Sequence, residues 1–505
     1  MKHTLRNILF LYSLIIGSCM VLAQQNLNQL IDDKLLEALG KHKTLVAIPN
    51  LPSVKENMFK NIQWVKTHFE HLDFKVSQLE SSTLPVVLAE KTVNENAKTL
   101  LFYFHLDGQA INPANWDQED PFVPELKQIT PQETWESIPW SQLEDKIDDE
   151  WRVFARSAAD DKAPIIMMLS ALEILEQQKQ QHDFNIKIIF DLEEEYSSNG
   201  FLSTLEQYKD RYQADYMIIM DGPAHSSNEP TLTFGCRGIA TCTITTYGSK
   251  LPQHSGHYGN YVPNPVFGLS RLLTSMKDEQ GKVLIKDYYK NIQLSPTVTA
   301  ALNGVPDNIA KINTDLSIVS PEKVGDSYQE SLQYPSLNVR QIGTSWKGEK
   351  LKTIIPEYAS AYIDVRLVTE TDGAQQLQKI KEHIVAQGYY VIDRAPTDQE
   401  RLTYPKIVTF NASPKVNAFR TNIDSEIGKK LKHSLESAFG KAPVTIRTMG
   451  GTVPIVPAIN TLKIPAIIVP MVNMDNNQHN PNENIRIGNI RQGIKICLSI
   501  LKTSF

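Results

Sequence analysis

The sequence lacks several features that would place it in other classes of protein. It has no excess of basic residues, since its formal net charge is −6, and such a surface has no electrostatic reason to bind nucleic acid or anionic lipid. Its prolines are scattered rather than gathered in a linker, and no internal repeat is visible. A hydrophobic content of 41% and a charged content of 21% are typical of soluble globular proteins. We therefore exclude a disordered chain and expect no nucleic-acid partner.

Cysteine is scarce, with four residues among 505. Cys236 and Cys242 stand six positions apart in one predicted extended segment, which places their Cα atoms roughly 20 Å apart. A disulfide requires Cα atoms within about 7 Å of each other. The two cysteines therefore cannot pair while that segment is extended, and the cysteine spacing shows no disulfide framework.

The N-terminal apolar run is too short for a transmembrane helix, which needs about 20 residues. Lys2 and Arg6 precede this run at residues 8–16, and Ala23 is followed by polar residues. The pattern predicts an export signal cleaved after Ala23, and hence a periplasmic or extracellular protein. The segment Ile16-Gly17-Ser18-Cys19 also resembles a bacterial lipobox, which would leave Cys19 lipidated and the protein tethered to a membrane as a lipoprotein.

The first half of the sequence alternates helical and strand patterns. This alternation is typical of an α/β domain with a mostly parallel sheet and helices on both faces. Helical spacing of apolar residues occurs at residues 55–72 and 487–501, and in a segment where Pro164 suits the first helical position. Apolar runs that predict buried strands lie at residues 99–104, 185–190, 215–220 and 464–469.

Longer alternating segments, such as residues 359–366, replace this pattern in the middle of the chain and are typical of a half-solvated antiparallel sheet. A chain of this length usually forms more than one core. We predict a signal peptide at 1–23, a catalytic domain built from 24–230 and 414–505, and an α+β lid or dimerisation domain inserted at 231–413. The segment 124–151 has no functional interpretation from the sequence.

Polar residues that bind metals follow the predicted buried strands. In an open parallel sheet, ligands bind beyond the carboxyl ends of the strands. Taken singly, each polar group has an ordinary structural explanation, such as a core histidine, a solvated acidic run or a helix cap. Taken together, they form a nitrogen and oxygen ligand set suited to zinc, with enough anionic groups for two ions. The groups are His105 with Asp107, Asp160 with Asp161, Glu193 to Glu195, Asp221 and His479.

At these residues the chain resembles the dizinc exopeptidases and aminoacylases, a family that includes carnosinases, glutamate carboxypeptidases and succinyl-diaminopimelate desuccinylase. The matching motifs occur in the family's order over nearly the whole mature chain. They are His105-Leu106-Asp107, Trp116 with Asp120-Pro121-Phe122, Arg156 to Lys162, Glu193 to Ser198, Asp221, Gly235-Cys236-Arg237-Gly238, His254-Ser255-Gly256, Arg366, Gly450-Gly451-Thr452 and His479.

The resemblance implies two zinc ions per chain, with manganese or cobalt as alternative metals. It implies that Asp160 bridges them through a carboxylate followed by a cis peptide bond. His105 and Asp221 would complete one site, and Glu195 and His479 the other. The chemistry of the residues agrees, because a carboxylate has two oxygens and spans two cations. Asp107 would accept the second ring N–H of His105 and orient that ligand.

The resemblance also implies the remaining roles. Glu194 would be the general base that activates a metal-bridging water. His254 would cross a homodimer to stabilise the oxyanion in the partner's site. Arg366 and the Gly450-Gly451-Thr452 loop would hold the free carboxylate of a short peptide. The resemblance thus implies a zinc exopeptidase, either a dipeptidase or a carboxypeptidase.

Three points stay open at the level of the sequence. The same ligands and base would serve an N-acyl amino acid amidohydrolase, and a binding protein that has lost catalysis would share the fold. Arg366 could instead form an ordinary surface ion pair. Ala155, Ser157, Ala163 and Ser197 replace glycines of the family, so we expect loops of different shape around Asp160 and after Glu195.

Overall fold

The computed structural model describes residues 27–346 and 352–505. The predicted signal peptide at 1–23 and Cys19 therefore lie outside the described residues. No helix within these two described ranges is long and apolar enough to cross a membrane.

The chain divides into two compact units. The first contains the described residues up to Phe234, together with Thr421–Thr445 and Ala458–Phe505. The second contains Gly235–Arg420 and Ile446–Pro457. The domain boundaries expected from the sequence, at residues 231 and 413, stay a prediction, and residues 446–457 of the second unit lie beyond them.

The helices and strands follow one another along the whole described chain. The helices are α1 (27–46), α2 (Lys55–Glu70), α3 (Gln142–Asp145), α4 (Lys162–Gln177), α5 (Asn199–Thr204), α6 (Lys209–Tyr212), α7 (Ser255–Tyr258), α8 (Pro265–Met276), α9 (Pro296–Asn303), α10 (Ile309–Asp315), α11 (Tyr328–Ser331), α12 (Gly373–Ala386), α13 (Asp398–Thr403), α14 (Glu426–Phe439), α15 (Val456–Leu462) and α16 (Ile487–Leu501). The strands are β1 (Lys75–Leu79), β2 (Val86–Lys91), β3 (Thr99–His105), β4 (Glu125–Ile129), β5 (Trp135–Ile138), β6 (Arg152–Phe154), β7 (Asn185–Asp191), β8 (Tyr216–Ile219), β9 (Thr231–Thr233), β10 (Gly235–Cys236), β11 (Gly238–Tyr247), β12 (Gln253–His254), β13 (Ser336–Thr344), β14 (Ile354–Ile355), β15 (Tyr358–Leu367), β16 (Tyr390–Ile392), β17 (Ile407–Val416), β18 (Phe419–Arg420), β19 (Val444–Ile446), β20 (Ala466–Ile468) and β21 (Asn484–Arg486).

The first unit is built on a large twisted sheet whose strand order is β1-β2-β7-β3-β8-β20-β9-β19. Its four central strands, β7, β3, β8 and β20, run parallel to one another. They are the four apolar runs of the sequence, and they are almost completely buried because both faces of a parallel sheet are covered. The predicted α/β class with a mostly parallel sheet is confirmed.

The predicted helices form, with one difference in where a helix begins. Helix α2 buries Met58, Ile62, Val65 and Phe69 on one face, as the apolar spacing indicates. Helix α4 starts at Lys162, so Pro164 is its third residue and not its first. Proline is tolerated there because the first four N–H groups of a helix have no acceptor within the helix. Helix α16 packs against α4.

A smaller antiparallel sheet in the first unit has the order β21-β6-β4-β5. It contains the 124–151 segment, which forms β4, β5 and α3 before the chain enters β6. Strand β6 pairs with β4 on one side and with β21 on the other. The segment 124–151 therefore extends the sheet that contains β21, the strand after the loop of His479.

The second unit contains a five-stranded sheet of order β13-β15-β11-β17-β16, antiparallel except between β16 and β17. Strand β11 alternates between buried and half-buried residues along its full length, which is the pattern of a sheet with one covered face. Residues of α8 and α12 complete the core on that face. Cys236, Cys242 and Cys497 are buried free thiols, so the prediction that the first two do not pair is confirmed.

Candidate metal centre

The carboxyl ends of the parallel strands bring the predicted metal ligands together. His105 ends β3, and Asp221 follows β8. Glu195 lies in a 3-10 turn just after β7, and Asp160 precedes α4. His479 comes from the loop between β20 and β21. All five side chains belong to the first unit.

Two groups of three ligand atoms form, and Asp160 belongs to both. His105, Asp160 and Asp221 make one group, and Asp160, Glu195 and His479 make the other. Within each group the ligand atoms lie within 4.8 Å of one another. Asp160 Oδ1 is 2.9 Å from His105 Nε2, whereas Asp160 Oδ2 is 3.1 Å from His479 Nε2. His479 Nε2 is also 3.1 Å from Glu195 Oε2. The two oxygens of one carboxylate therefore face two separate ligand sets.

Negative charge accumulates in this small buried space. Burial, together with the charge of Asp160, raises the pKa of Asp221 to about 7. Burial also raises the pKa of Glu194 well above its usual value, and the charge of Asp221 adds to the increase against the opposing effect of His105. A cation placed among these oxygens would relieve both the burial cost and the repulsion.

The two histidines respond to the same charge in the opposite direction. Hydrogen bonds to Asp160 and Glu195 raise the pKa of His479 to about 10. Burial lowers the pKa of His105, but Asp107 and Asp160 outweigh burial and hold it well above its usual value. Two imidazoles and three carboxylates that compete for protons in this way form a donor set that fits divalent metal ions of the zinc type.

Asp107 connects the ligand on β3 to the turn after β7. Its Oδ1 lies 3.3 Å from His105 Nδ1, the ring nitrogen that faces away from Asp160. Its two oxygens accept hydrogen bonds from the backbone N–H groups of Glu194 at 3.0 Å and Glu195 at 3.1 Å. One carboxylate thus contacts a predicted metal ligand and also fixes the backbone of the predicted base.

The loop of Asp160 is held from several sides. The peptide bond between Asp160 and Asp161 is cis, as the resemblance implies. Asp161 accepts a hydrogen bond from the backbone N–H of His105 at 3.1 Å. The next residue, Lys162, is buried and donates to the carbonyl oxygens of Leu45 and Ile48. These bonds place the carboxylate of Asp160 relative to β3 and α1.

The glutamates after β7 have different surroundings. Glu193 accepts hydrogen bonds from the hydroxyl of Thr83 and from Gly200 N–H at 3.0 Å. Its carboxylate is thereby engaged in the structure of the turn, whereas Glu194 faces the charges of the ligand cluster. Gln109, which sequence reasoning missed, donates to Glu195 Oε2 at 2.8 Å. No pattern in the sequence marks Gln109, because its partner lies on a different strand end.

The residues predicted to hold a substrate carboxylate lie in the second unit. Arg366 Nη1 donates to Thr452 Oγ1 at 2.8 Å, and Thr452 Oγ1 donates to the carbonyl oxygen of Arg237 at 2.6 Å. Gly450 and Gly451 precede this threonine in the same loop. The guanidinium of Arg366 lies 3.9 Å from Asp364, a longer separation than that of a close ion pair.

Arg237 stands beside Arg366 and is almost completely buried. Burial, together with the charge of Arg366, lowers the pKa of Arg237 to about 10. Its Nη2 donates to the carbonyl oxygen of Tyr334 at 3.1 Å, and its buried Nε has no hydrogen-bond partner among the described residues. Two neighbouring guanidinium groups with so little acidic compensation form a site that favours an anion.

His254 ends β12 in the second unit, and its side chain is exposed. Its Nδ1 accepts the backbone N–H of Gly256 at 3.0 Å. The proton of the neutral ring therefore lies on Nε2, which is 3.4 Å from Thr353 Oγ1. This arrangement leaves His254 able to donate a hydrogen bond from Nε2 without carrying a positive charge.

Comparison with known proteins gives one family over most of the chain. The sequence model of Peptidase family M20/M25/M40 matches residues 101–503. The Cys-Gly metallodipeptidase dug1 of Schizosaccharomyces pombe is 24% identical over 501 residues, which cover 94% of this chain and 97% of that protein. The Beta-Ala-His dipeptidase of Homo sapiens is 24% identical over 420 residues, which cover 82% of this chain and 76% of that protein.

Solved structures agree on the fold. The M20 family metallo-carboxypeptidase Sso-CP2 from Sulfolobus solfataricus has a TM-score of 0.71 at 23% identity, covering 93% of this chain and 99% of that one. Human carnosine dipeptidase 1 has a TM-score of 0.69 at 22% identity, covering 95% of this chain and 98% of that one. At these identities the likeness shows the fold alone.

Proposed function

Because the chain belongs to peptidase family M20/M25/M40, we propose that it is a zinc-dependent dipeptidase that cleaves short peptides with a free C-terminal carboxylate. The observation that carries the proposal is the sharing of Asp160 between two ligand groups beside Glu194. A shared carboxylate is the arrangement that two-metal hydrolases use to hold a pair of cations. The names of the dipeptidase relatives support a dipeptide as substrate.

The five ligands would hold two zinc ions, with manganese or cobalt as alternatives. Such ions lower the pKa of a bound water toward neutrality and polarise the scissile carbonyl. Glu194 would act as the general base, taking a proton from the attacking water and delivering it to the leaving amine. Asp107 contacts His105 and accepts a hydrogen bond from the backbone N–H of Glu194, so it holds both in position.

The anionic end of the substrate would bind in the second unit. Arg366 offers a planar pair of donors to a carboxylate, and the backbone N–H groups of the Gly450-Gly451-Thr452 loop offer more. Arg237 adds positive charge beside Arg366. The distance of 3.9 Å between Arg366 and Asp364 is longer than that of a close ion pair, which argues against an ordinary ion-pair role for Arg366.

We also propose that the enzyme works as a homodimer in which His254 serves the partner's site. The segment 254–261 is exposed throughout, and Tyr261 has 85% of its surface accessible. Tyr258 and Phe267 are further exposed aromatic side chains of the same region. Such residues are enriched in the cores of protein interfaces. A neutral Nε2–H donor on His254 is suited to an oxyanion that develops in the partner's site.

A substrate screen with purified protein tests the proposal. The panel contains Cys-Gly, β-Ala-His, other dipeptides, their C-terminal amides and N-acyl amino acids. Activity is measured before chelation, after chelation, and after return of zinc, manganese or cobalt. We expect hydrolysis of dipeptides that disappears on chelation and returns with metal.

The other outcomes of the screen would each indicate a different function. Cleavage of N-acyl amino acids without cleavage of dipeptides would make the protein an amidohydrolase of the same family. Metal binding without hydrolysis of any member of the panel would favour a binding protein that has lost catalysis.

A further inference from the structure

Glu483 connects the two loops that carry Asp160 and His479. Its side chain is only 1% exposed. One oxygen accepts from Arg156 Nη1 at 2.7 Å and from Ser157 N–H at 2.9 Å. The other accepts from the N–H groups of Ala159 and Asp160, both at 3.0 Å. The carboxylate thus binds the backbone of the Asp160 loop up to the shared ligand itself.

The main chain of Glu483 makes the same connection. Glu483 stands four residues after His479 and directly before β21. Its carbonyl oxygen accepts from Ala155 N–H at 3.1 Å, next to the pairing of β21 with β6. Arg156 also approaches the carbonyl oxygen of Asn480, the neighbour of His479, at 3.4 Å. Both loops are therefore connected through one buried residue, Glu483.

Neither loop has a backbone conformation that would persist unaided. Ser157 has φ 60°, and the loop of His479 contains three further non-glycine residues with positive φ, which are Asn477 at 57°, His479 at 64° and Asn482 at 60°. L-residues disfavour this region, so such angles persist only where surrounding contacts enforce them. The four hydrogen bonds to Glu483 are contacts of this kind.

The antiparallel sheet that contains β6 and β21 makes further contacts next to the two loops. Arg152 in β6 donates to Asn484 Oδ1 at 3.0 Å and to Asp475 Oδ2 at 2.7 Å. Arg486 in β21 pairs with Glu150, in the segment that had no interpretation from the sequence. Strands β4 and β5 widen the sheet on which β6 and β21 pair. The loop of His479 thus leads into β21, a strand that is paired within this sheet.

A buried ion pair with Arg156 alone would explain one of the four hydrogen bonds. The other three come from backbone N–H groups of the loop that ends in a metal ligand. We infer that Glu483 is a positioning residue of the metal centre, which holds the backbone of Asp160 and the loop of His479 in one geometry. It thereby sets the affinity for the ion between Asp160, Glu195 and His479. This inference rests on the proposed metal-dependent function.

The test is the metal affinity of Glu483→Gln. In this variant an amide N–H₂ group replaces one carboxylate oxygen. This group cannot accept hydrogen bonds, so two of the four donors lose their acceptor. We expect affinity for zinc or cobalt to fall about 10- to 100-fold, the usual effect of losing an outer partner of a metal ligand. The dissociation constant is measured by competition with a chelator on protein shown to be folded, and excess metal should restore activity to within a few-fold of wild type.

Glu173→Gln is the matched control. Glu173 lies on α4 in the same unit, is largely buried and pairs with Lys34 and Lys41. It contacts neither ligand loop among the described residues, so its loss should lower the Tm without weakening metal binding. A merely structural role for Glu483 predicts the same result for both variants.

A folded Glu483→Gln protein that binds both ions with wild-type affinity would overturn the inference. If that variant fails to fold, Glu483→Asp decides, because its shorter side chain keeps the charge but cannot reach all four donors. It should bind metal at least 10-fold more weakly, and wild-type affinity in it would equally overturn the inference. Wild-type protein that binds no divalent metal would instead refute the proposed function.

Discussion

Metal binding to this protein should release protons, and a lower bound on their number follows from the structure. A ligand nitrogen must be deprotonated before it binds a metal. In the metal-free centre, hydrogen bonds to Asp160 and Glu195 raise the pKa of His479 to about 10. The pKa of His105 also lies well above its usual value, because Asp107 and Asp160 outweigh the effect of burial. The ring of His479 therefore carries an extra proton at pH 7 that must leave, and the upward shift of the pKa of His105 acts in the same direction.

The carboxylates contribute less to the count. Burial and the charge of Asp160 raise the pKa of Asp221 to about 7, so it is about half protonated at neutral pH. Burial would raise the pKa of Asp160, but hydrogen bonds from the two histidines hold it below its usual value, so it is already ionised. The proton of His479 and about half of one from Asp221 give a release of more than one proton at pH 7. The upward pKa shifts of His105 and Glu194 add to this release.

The sign of the pH dependence follows from this release. Because protons leave as metal enters, higher pH favours the bound state, and each proton released corresponds to about a 10-fold gain in overall affinity per pH unit near pH 7. The gain should diminish as pH rises through about 10, where the ring of His479 is already neutral. Below neutrality more carboxylates hold protons, so metal binding should become steeply weaker as pH falls.

Calorimetric titration of metal-free protein with zinc, in two buffers of different ionisation enthalpy, measures the release directly. The observed enthalpy should differ between the buffers by more than their ionisation enthalpy difference, as release of more than one proton requires. His433→Ala is the matched control, because that histidine is exposed on α14 and belongs to neither ligand group, so the count should be unchanged. An enthalpy that is the same in both buffers would mean that the rings are neutral before metal enters, which would refute the reasoning.

Four further experiments with substituted proteins test individual roles. Glu194→Gln should keep its metal but lose roughly 1000-fold in kcat, whereas Glu193→Gln, the matched control, should stay near wild type. Asp160→Ala should lose both ions and lower the Tm, by metal analysis and calorimetry; two retained ions would place the bridge elsewhere. Arg366→Gln should raise KM for dipeptides about 100-fold while sparing dipeptide amides, and equal losses on both would refute carboxylate binding. Mixing His254→Ala with Glu194→Gln under confirmed subunit exchange should regenerate activity, since one site then has both groups; no recovery would exclude a shared site.

The sheet and its strand ends could be predicted because their signals are local. The apolar run at 99–104 became β3, and its polar neighbour His105 became the last residue of that strand. Parallel pairing then sets His105 directly opposite Asp191. Once the central strands are known to be parallel, their carboxyl ends must share one edge, so the grouping of polar side chains there follows from topology.

The partners that hold the ligands could not be predicted, because they are joined by contacts between distant segments. Glu483 lies more than three hundred positions from the backbone groups that it accepts from. Gln109 and Glu195 meet only because β3 and β7 are neighbours. A single sequence carries no sign of such pairs, since glutamate and glutamine at these positions have no periodicity or motif. The candidate ligands were therefore easier to predict than the residues that place them.

The serines that replace family glycines show the limit of arguing from residue type alone. Ser157 and Ser197 have φ angles of 60° and 78°, in the left-handed region that glycine enters freely and other residues enter at about 1–2 kcal/mol. Contacts offset that cost. Ser157 donates its N–H to Glu483 and accepts from Asn50 at 2.9 Å, and Ser197 N–H donates to the carbonyl oxygen of Glu194. Loss of a glycine therefore does not by itself require a differently shaped loop where neighbouring groups enforce the same backbone angle.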